Sequence, residues 1–186
     1  MKIARALLFS LVLLGLPPVA GAQKPRPDRP VPAAMLAGER LQPPELGFSI
    51  QRPGPDWEWR YFGSEKLGFL VISPVRKKLL SVRVADSPEP LSMEVAKGYF
   101  QGIGKAAAED GAKLVDLSIQ PSSIPHPGSF RCTHHIQGSG KREMYWIGYL
   151  VDGGPKRFFV VQELRQSPGD ESPELATFVR SLQIVK

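Results

Sequence analysis

A heptapeptide near the middle of the chain, FRCTHHI at residues 130–136, holds residue types that commonly carry out chemistry in proteins. It contains Cys132, the single cysteine of the chain, and two of the three histidines, His134 and His135. Thiolates and imidazoles bind zinc, and a cysteine beside a histidine can act as an activated nucleophile. The segment therefore has three interpretations: a metal site, a catalytic pair, or an ordinary β-strand.

Alternation along a strand distinguishes these interpretations, because successive side chains point to opposite faces of a sheet. In a strand, His134 and His135 point apart and cannot bind the same ion. Cys132 and His134 share one face with Phe130 and Ile136, and this more apolar face is the expected core side. We interpret the segment as a strand that carries a small buried thiol and a partly buried histidine.

A chemical role for the segment remains as an alternative. Structural zinc takes four protein ligands, and beyond Cys132 and His134 the segment's surroundings offer only His126, in a proline-flanked loop, and His135. A reactive thiol also needs an exposed, electropositive setting. We therefore predict no metal, no cofactor and no catalytic residue. The alternative is a metal-binding protein or a Cys/His-dependent enzyme centred on Cys132 and His134.

The residues after FRCTHHI predict an antiparallel meander. Glycine-rich turns at 138–140 and 152–154 are typical of tight connections between adjacent strands. The later strands carry apolar residues on both faces, so the sheet needs cover on both sides. The predicted strands span roughly 129–137, 142–152 and 156–165.

Two helices are predicted to supply that cover. Helical spacing of apolar residues follows Ser92, a possible N-cap, and ends near Gly111. A second helix begins after Ser172, with Pro173 at its first position. Further short strands precede the first helix. The order of strands, helix, strands and helix predicts an α+β fold in which an antiparallel β-sheet is sandwiched between helices.

Three alternating aromatic residues, Trp57, Trp59 and Tyr61, follow a Pro-Gly-Pro turn. Tryptophans at a sheet margin can form a binding platform. We favour a core position for them, because large aromatic side chains are usually buried.

The N-terminal region divides into two predicted segments. Residues 1–22 combine Lys2 and Arg5, a short apolar run and Ala20-Gly21-Ala22, which is typical of a cleaved signal peptide. An uncleaved membrane anchor is the alternative, although the run is short for a span of about 20 residues. Residues 23–45 are rich in proline and predict a flexible tether. We expect a single domain over 46–186, and a periplasmic or secreted location.

The charge of the chain is modestly positive, with 24 Lys and Arg against 18 Asp and Glu. Loss of residues 1–22 lowers the net charge from +6 to +4, because that segment contains two basic residues and no acidic one. No basic stripe interleaves with aromatic residues, so a nucleic-acid partner is not expected.

From residue 46 onward the chain resembles the PsbP/Mog-like family. The resemblance covers roughly 46–186 and rests on the opening LGFSIQRPGPDWEW (46–59), a long helix, the glycine-turned meander and the closing FVRSLQIV (178–185). It implies an α-β-α sandwich and a non-catalytic accessory or binding role, with several members exported from bacteria. No functional residue carries over, because no functional motif matches position by position.

These observations lead us to expect an exported, non-enzymatic binding or accessory domain without a transmembrane anchor after processing. Its partner would be another envelope or secreted protein, or a small ligand. Besides the Cys132 and His134 alternative, a structural component of a cell-envelope assembly is the third interpretation.

Overall fold

The structure is a computed structural model, and it describes residues 30–61, 68–138 and 142–185. The predicted signal peptide (1–22) and the first part of the predicted tether (23–29) lie outside the described residues. Within them the strands are β1 (Leu36–Ala37), β2 (Arg40–Leu41), β3 (Phe48–Gln51), β4 (Glu58–Tyr61), β5 (Phe69–Ser73), β6 (Lys78–Asp86), β7 (Lys113–Ser122), β8 (Ser129–Gly138), β9 (Arg142–Asp152), β10 (Arg157–Arg165) and β11 (Gln183–Ile184). The helices are α1 (Met93–Glu109) and α2 (Pro173–Arg180).

Two antiparallel sheets organise the described residues. The larger sheet has the strand order β4-β5-β6-β10-β9-β8-β7, and the smaller sheet has the order β1-β2-β3-β11. The chain runs directly from β7 to β10 through neighbouring strands, so the predicted meander is confirmed. Strand β10 also pairs with β6, which lies far away in the sequence. This pairing places β10 at the centre of the larger sheet.

Successive residues of β10 belong to two separate core clusters, because side chains alternate between the faces of a sheet. Phe158 and Val160 pack in one cluster with residues of α1, on the side that we call the Val160 face. Phe159 and Val161 pack in the other cluster with residues of α2 and the smaller sheet, on the Val161 face. The chain therefore has an α+β fold built from antiparallel sheets and two helices.

Both helices begin where the sequence predicted. The Ser92 hydroxyl accepts a hydrogen bond from the Val95 amide, and the Ser172 hydroxyl accepts one from the Leu175 amide. Pro173 takes the first position of α2, where its missing amide hydrogen is not needed. Among the described residues, no helix is long and apolar enough to cross a membrane.

The predicted tether is wrong for residues 31–45, which form part of the folded domain. Val31 and Leu41 are buried in the cluster on the Val161 face. Leu41 pairs with Ile50 of β3, and the Tyr61 hydroxyl lies 3.4 Å from the sulfur of Met35. The prediction failed because a few well-placed apolar residues are enough to pack a proline-rich segment onto a preformed surface. The folded domain therefore begins before residue 46.

The aromatic residues after the Pro-Gly-Pro turn occupy the core, as predicted. Trp57, Trp59 and Tyr61 are all buried in the cluster on the Val161 face. The Trp59 ring lies 5.9 Å from the ring of Phe178 in α2. Trp59 therefore packs α2 against the sheet, and the three aromatic side chains do not form an exposed platform.

The corrected domain boundary predicts a stability loss on substitution in β2. Leu41→Ala should lower the free energy of unfolding by about 2–5 kcal/mol, because it removes a fully buried side chain from the core. Urea denaturation measures the change. The exposed neighbour Gln42 provides the control, since Gln42→Ala should stay within about 0.5 kcal/mol of the wild type. An equally small effect of Leu41→Ala would restore the tether interpretation.

Candidate functional site

The FRCTHHI segment forms the middle of β8, and its two histidines lie on opposite faces of the sheet, as predicted. Cys132 and His134 are 1% and 3% exposed and lie on the Val160 face. His135 lies on the Val161 face, where part of its side chain reaches solvent. The third histidine, His126, lies in the loop between β7 and β8, with Nδ1 3.1 Å from the Pro127 carbonyl oxygen.

The environment of Cys132 and His134 is that of a core. Burial raises the pKa of the Cys132 thiol to about 12 and lowers the pKa of His134 to about 3. The His134 ring lies 5.0 Å from the Phe100 ring and stacks on Trp146 at 6.0 Å. No hydrogen-bond partner among the described residues reaches either ring nitrogen. A protonated thiol beside a neutral imidazole lacks the exposed thiolate that a nucleophilic pair requires.

Metal ligands do not converge in the described residues, where no group of three or more histidine, cysteine, aspartate or glutamate side chains could hold an ion. The side of β8 that reaches solvent is the opposite one, which carries His135.

Four polar or aromatic side chains form a straight row across the Val161 face. Asp116 of β7 is in register with His135 of β8, His135 with Tyr145 of β9, and Tyr145 with Arg165 of β10. Directly opposite residues of paired antiparallel strands project from the same face. The register thus aligns a carboxylate, an imidazole, a phenol and a guanidinium, which we call the polar row.

His135 and Tyr145, in the middle of the polar row, are held by ring stacking and by a contact of His135 with Glu143. The rings of His135 and Tyr145 stack with centroids 4.3 Å apart and planes inclined by 14°. His135 Nε2 contacts a carboxylate oxygen of Glu143, whose other oxygen accepts a hydrogen bond of 2.9 Å from Gln137. The hydrogen bonds from His135 and Gln137 lower the pKa of Glu143. These contacts fix the orientation of the imidazole and of the phenol beneath it.

The Arg165 end of the polar row is shaped by the segment 166–171. The Arg165 guanidinium donates through Nη1 to the Asp170 carbonyl oxygen. Gly169 has a φ of +157°, and a β-carbon there would lie 3.2 Å from the Arg165 guanidinium, so the backbone packs tightly on this side chain. The segment is thereby held beside the sheet as a wall.

The far end of this wall is fastened to the sheet by Glu171. Its carboxylate accepts a hydrogen bond from the Tyr149 hydroxyl, and the guanidinium of Arg131 lies 3.7 Å from the same oxygen. Burial and the Glu171 carboxylate together raise the pKa of Tyr149 to about 12. The phenol therefore keeps its proton for this bond across the neutral pH range.

The polar row and the wall line a cleft of about 190 Å³. Thr133 and Ile147 lie beside the row, and the wall contributes Ser167 to Gly169. The cleft is open to solvent and carries both signs of charge. Such a surface can position a polar group of a ligand or partner, whereas it is too small to enclose a drug-sized molecule, for which about 300–1,000 Å³ is usual.

Comparisons with known proteins find similarity in structure. A crystal structure from Bacteroides thetaiotaomicron VPI-5482 matches 81% of this chain with 14% sequence identity and a TM-score of 0.49, and this chain spans 50% of that chain. The solution structure of cyanobacterial PsbP (CyanoP) from Synechocystis sp. PCC 6803 matches 86% of this chain and 99% of its own, with 12% identity and a TM-score of 0.46. One of these two structures carries the PsbP name that the sequence resemblance also gives. No family model and no curated protein matches the chain.

Sequence reasoning identified His135 but missed its role in the polar row. Asp116, Tyr145 and Arg165 come from three other strands, and only the register of the sheet aligns them with His135. The one available signal was alternation in β8, which placed His135 on the face opposite to the buried thiol.

Burial of Cys132 predicts slow reaction of its thiol in the folded protein. At pH 8 a thiol-specific disulfide reagent should label Cys132 at least about 100-fold more slowly in buffer than in denaturant, because the folded thiol is inaccessible and protonated. Absorbance of the released thiolate measures the rate. The control is a Cys132→Ser, Ser167→Cys variant, whose exposed thiol should react rapidly without denaturant. Equal rates for the two thiols in the folded state would favour a reactive Cys132.

Proposed function

We propose that the chain is an exported, non-enzymatic binding or accessory domain that uses the polar row and its cleft as the contact surface. The observation that supports this most is the register itself, which aligns four recognition-type side chains along an open cleft at one end of the Val161 face. Tyrosine, histidine and arginine bind partners with little loss of conformational freedom when they are already held in place.

The position of His135 favours a binding surface over a Cys/His nucleophilic pair. One of its ring nitrogens is engaged with Glu143, and the ring is stacked on Tyr145, so the imidazole is fixed as part of a surface. A Cys/His nucleophilic pair needs the thiol and the imidazole within hydrogen-bond reach of each other. The thiol of this chain lies instead on the other face of the sheet, buried beneath α1.

The N-terminal end of the described residues lies away from this contact surface. Pro30 forms a β-bridge with Arg60 of β4, at the edge of the larger sheet opposite to β7. Six strand spacings of about 4.8 Å separate the two edges, which is about 29 Å. The first described residue therefore lies about 29 Å from the edge strand that carries Asp116.

The finer architecture and the location belong to the same proposal. The core clusters on the two faces of β10 support an α-β-α sandwich, with α1 on one side and α2 with the smaller sheet on the other. The signal-like residues 1–22 support export to a periplasm or to the medium. The partner is then another envelope or secreted protein, or a small ligand. The modest net charge argues against a nucleic-acid partner.

Site-specific photo-crosslinking in cells that export the protein tests this proposal. A photoreactive amino acid at Ser118, beside the polar row, should give a discrete adduct that fades when excess wild-type protein is added. The same amino acid at Gln101, on the exposed side of α1, should give none. Identical adduct patterns from the two positions would contradict the assignment of the contact surface.

A further inference from the structure

The two ends of the polar row carry opposite charges that no described residue neutralises. Asp116 and Arg165 form no ion pair with another described residue, although Glu143 and Glu171 nearby are each engaged. The two residues are separated by three strand spacings, which is about 14 Å. Between them lies the stacked pair of His135 and Tyr145.

We propose that the polar row binds an extended peptide segment of the partner, with a basic side chain at Asp116 and an acidic side chain at Arg165, four residues apart. This inference rests on the proposed function and adds the chemistry of the partner to it. The spacing follows from the rise of an extended chain, about 3.4 Å per residue, so that four residues span the same 14 Å as the row.

The Arg165 guanidinium is held in position to bind a carboxylate. Its Nη1 is bound to the backbone of its own wall, and Gly169 packs against the guanidinium, so the side chain is positioned before a ligand arrives. A guanidinium has five donor hydrogens, and a carboxylate can accept two of them in parallel. At the other end, the exposed Asp116 carboxylate suits a lysine or arginine side chain.

The centre of the polar row determines which side chain the peptide should carry between its two charged residues. In an extended segment, residues i, i+2 and i+4 project from the same side. The residue at i+2 therefore faces the stacked rings of His135 and Tyr145. The two rings stack on each other along the row and present their edges to the ligand, so an aromatic side chain at this position would gain edge-to-face contact, about 0.5–1.5 kcal/mol for an aromatic pair. The complete pattern is basic, any, aromatic, any, acidic, read in either direction.

An extended segment fits the cleft better than a helix does. An α-helix rises about 1.5 Å per residue and has a diameter of about 10–12 Å with its side chains. A helix would need about nine residues between the two charges and would have to enter a cleft of about 190 Å³ beside the wall of Ser167 to Gly169. A single extended strand can cross the row without displacing the wall.

Peptide titration of the purified chain, followed by the backbone amide signals in nuclear magnetic resonance spectra, tests the inference. The probe is acetyl-Lys-Ala-Tyr-Ala-Glu-amide, and the control is acetyl-Lys-Ala-Tyr-Glu-Ala-amide, which has the same composition but turns its acid to the opposite side. The probe should bind at least about tenfold more tightly than the control and should shift the signals of His135 and Tyr145. Equal affinities of the two peptides would overturn the inference.

Charge variants test the two ends separately. Arg165→Gln and Asp116→Asn should each weaken binding of the probe about tenfold, the scale of one charge-assisted hydrogen bond. Arg180→Gln, in the last turn of α2, is the matched control and should leave the affinity unchanged. Because Asp116 forms no hydrogen bond or ion pair with the described residues of the wall, its variant remains informative if Arg165→Gln disturbs the wall.

Reversal of one charge gives the strictest outcome. Arg165→Glu should prefer acetyl-Lys-Ala-Tyr-Ala-Lys-amide over the original probe, because both ends of the row are then acidic. Failure of this exchange would overturn the inference. If the Ser118 crosslink forms while every peptide binds equally, the contact surface stands and only the proposed partner chemistry is wrong.

Discussion

The burial of β10 on both faces is the constraint on which the rest of the structure depends. Every residue from Phe158 to Glu163 is buried, and the strand lies at the centre of the larger sheet. A strand that is apolar on both sides must be covered twice. Residues of α1 pack with β10 on the Val160 face, and residues of α2 and the smaller sheet pack with it on the Val161 face. The smaller sheet needs Leu41 for this, which explains why the segment before residue 46 is folded.

Polar residues at the end of β10 connect this core to the candidate site. Gln162 accepts a hydrogen bond of 2.8 Å from Arg83 on the Val160 face. On the other face, Glu163 accepts a bond of 3.3 Å from the Ser172 amide, directly before α2. Arg165 lies two residues further along β10, beyond the part of the strand that packs with α2, and belongs to the polar row. The position of the row is therefore set by where the cover of α2 ends.

The sequence predicted those parts of the fold that depend on neighbouring residues. The meander, the caps of both helices and the opposite directions of His134 and His135 follow from turn chemistry and alternation. The pairing of β6 with β10 was not predictable, because it joins residues about 80 positions apart, such as Arg83 and Gln162, across a helix and three strands. The same non-local register creates the polar row, which is why only one of its four residues drew attention in the sequence.

The central claim is that Asp116, His135, Tyr145 and Arg165 lie in register along the open cleft of the Val161 face. Nuclear Overhauser effects between the backbone protons of paired strands measure this register most directly. We expect cross-strand contacts between the residue pairs 116 and 135, 135 and 145, and 145 and 165. A contact of Tyr145 with His134 as its direct partner, in place of His135, would mean a slip of one residue. Such a slip would turn His135 toward the core and contradict the account.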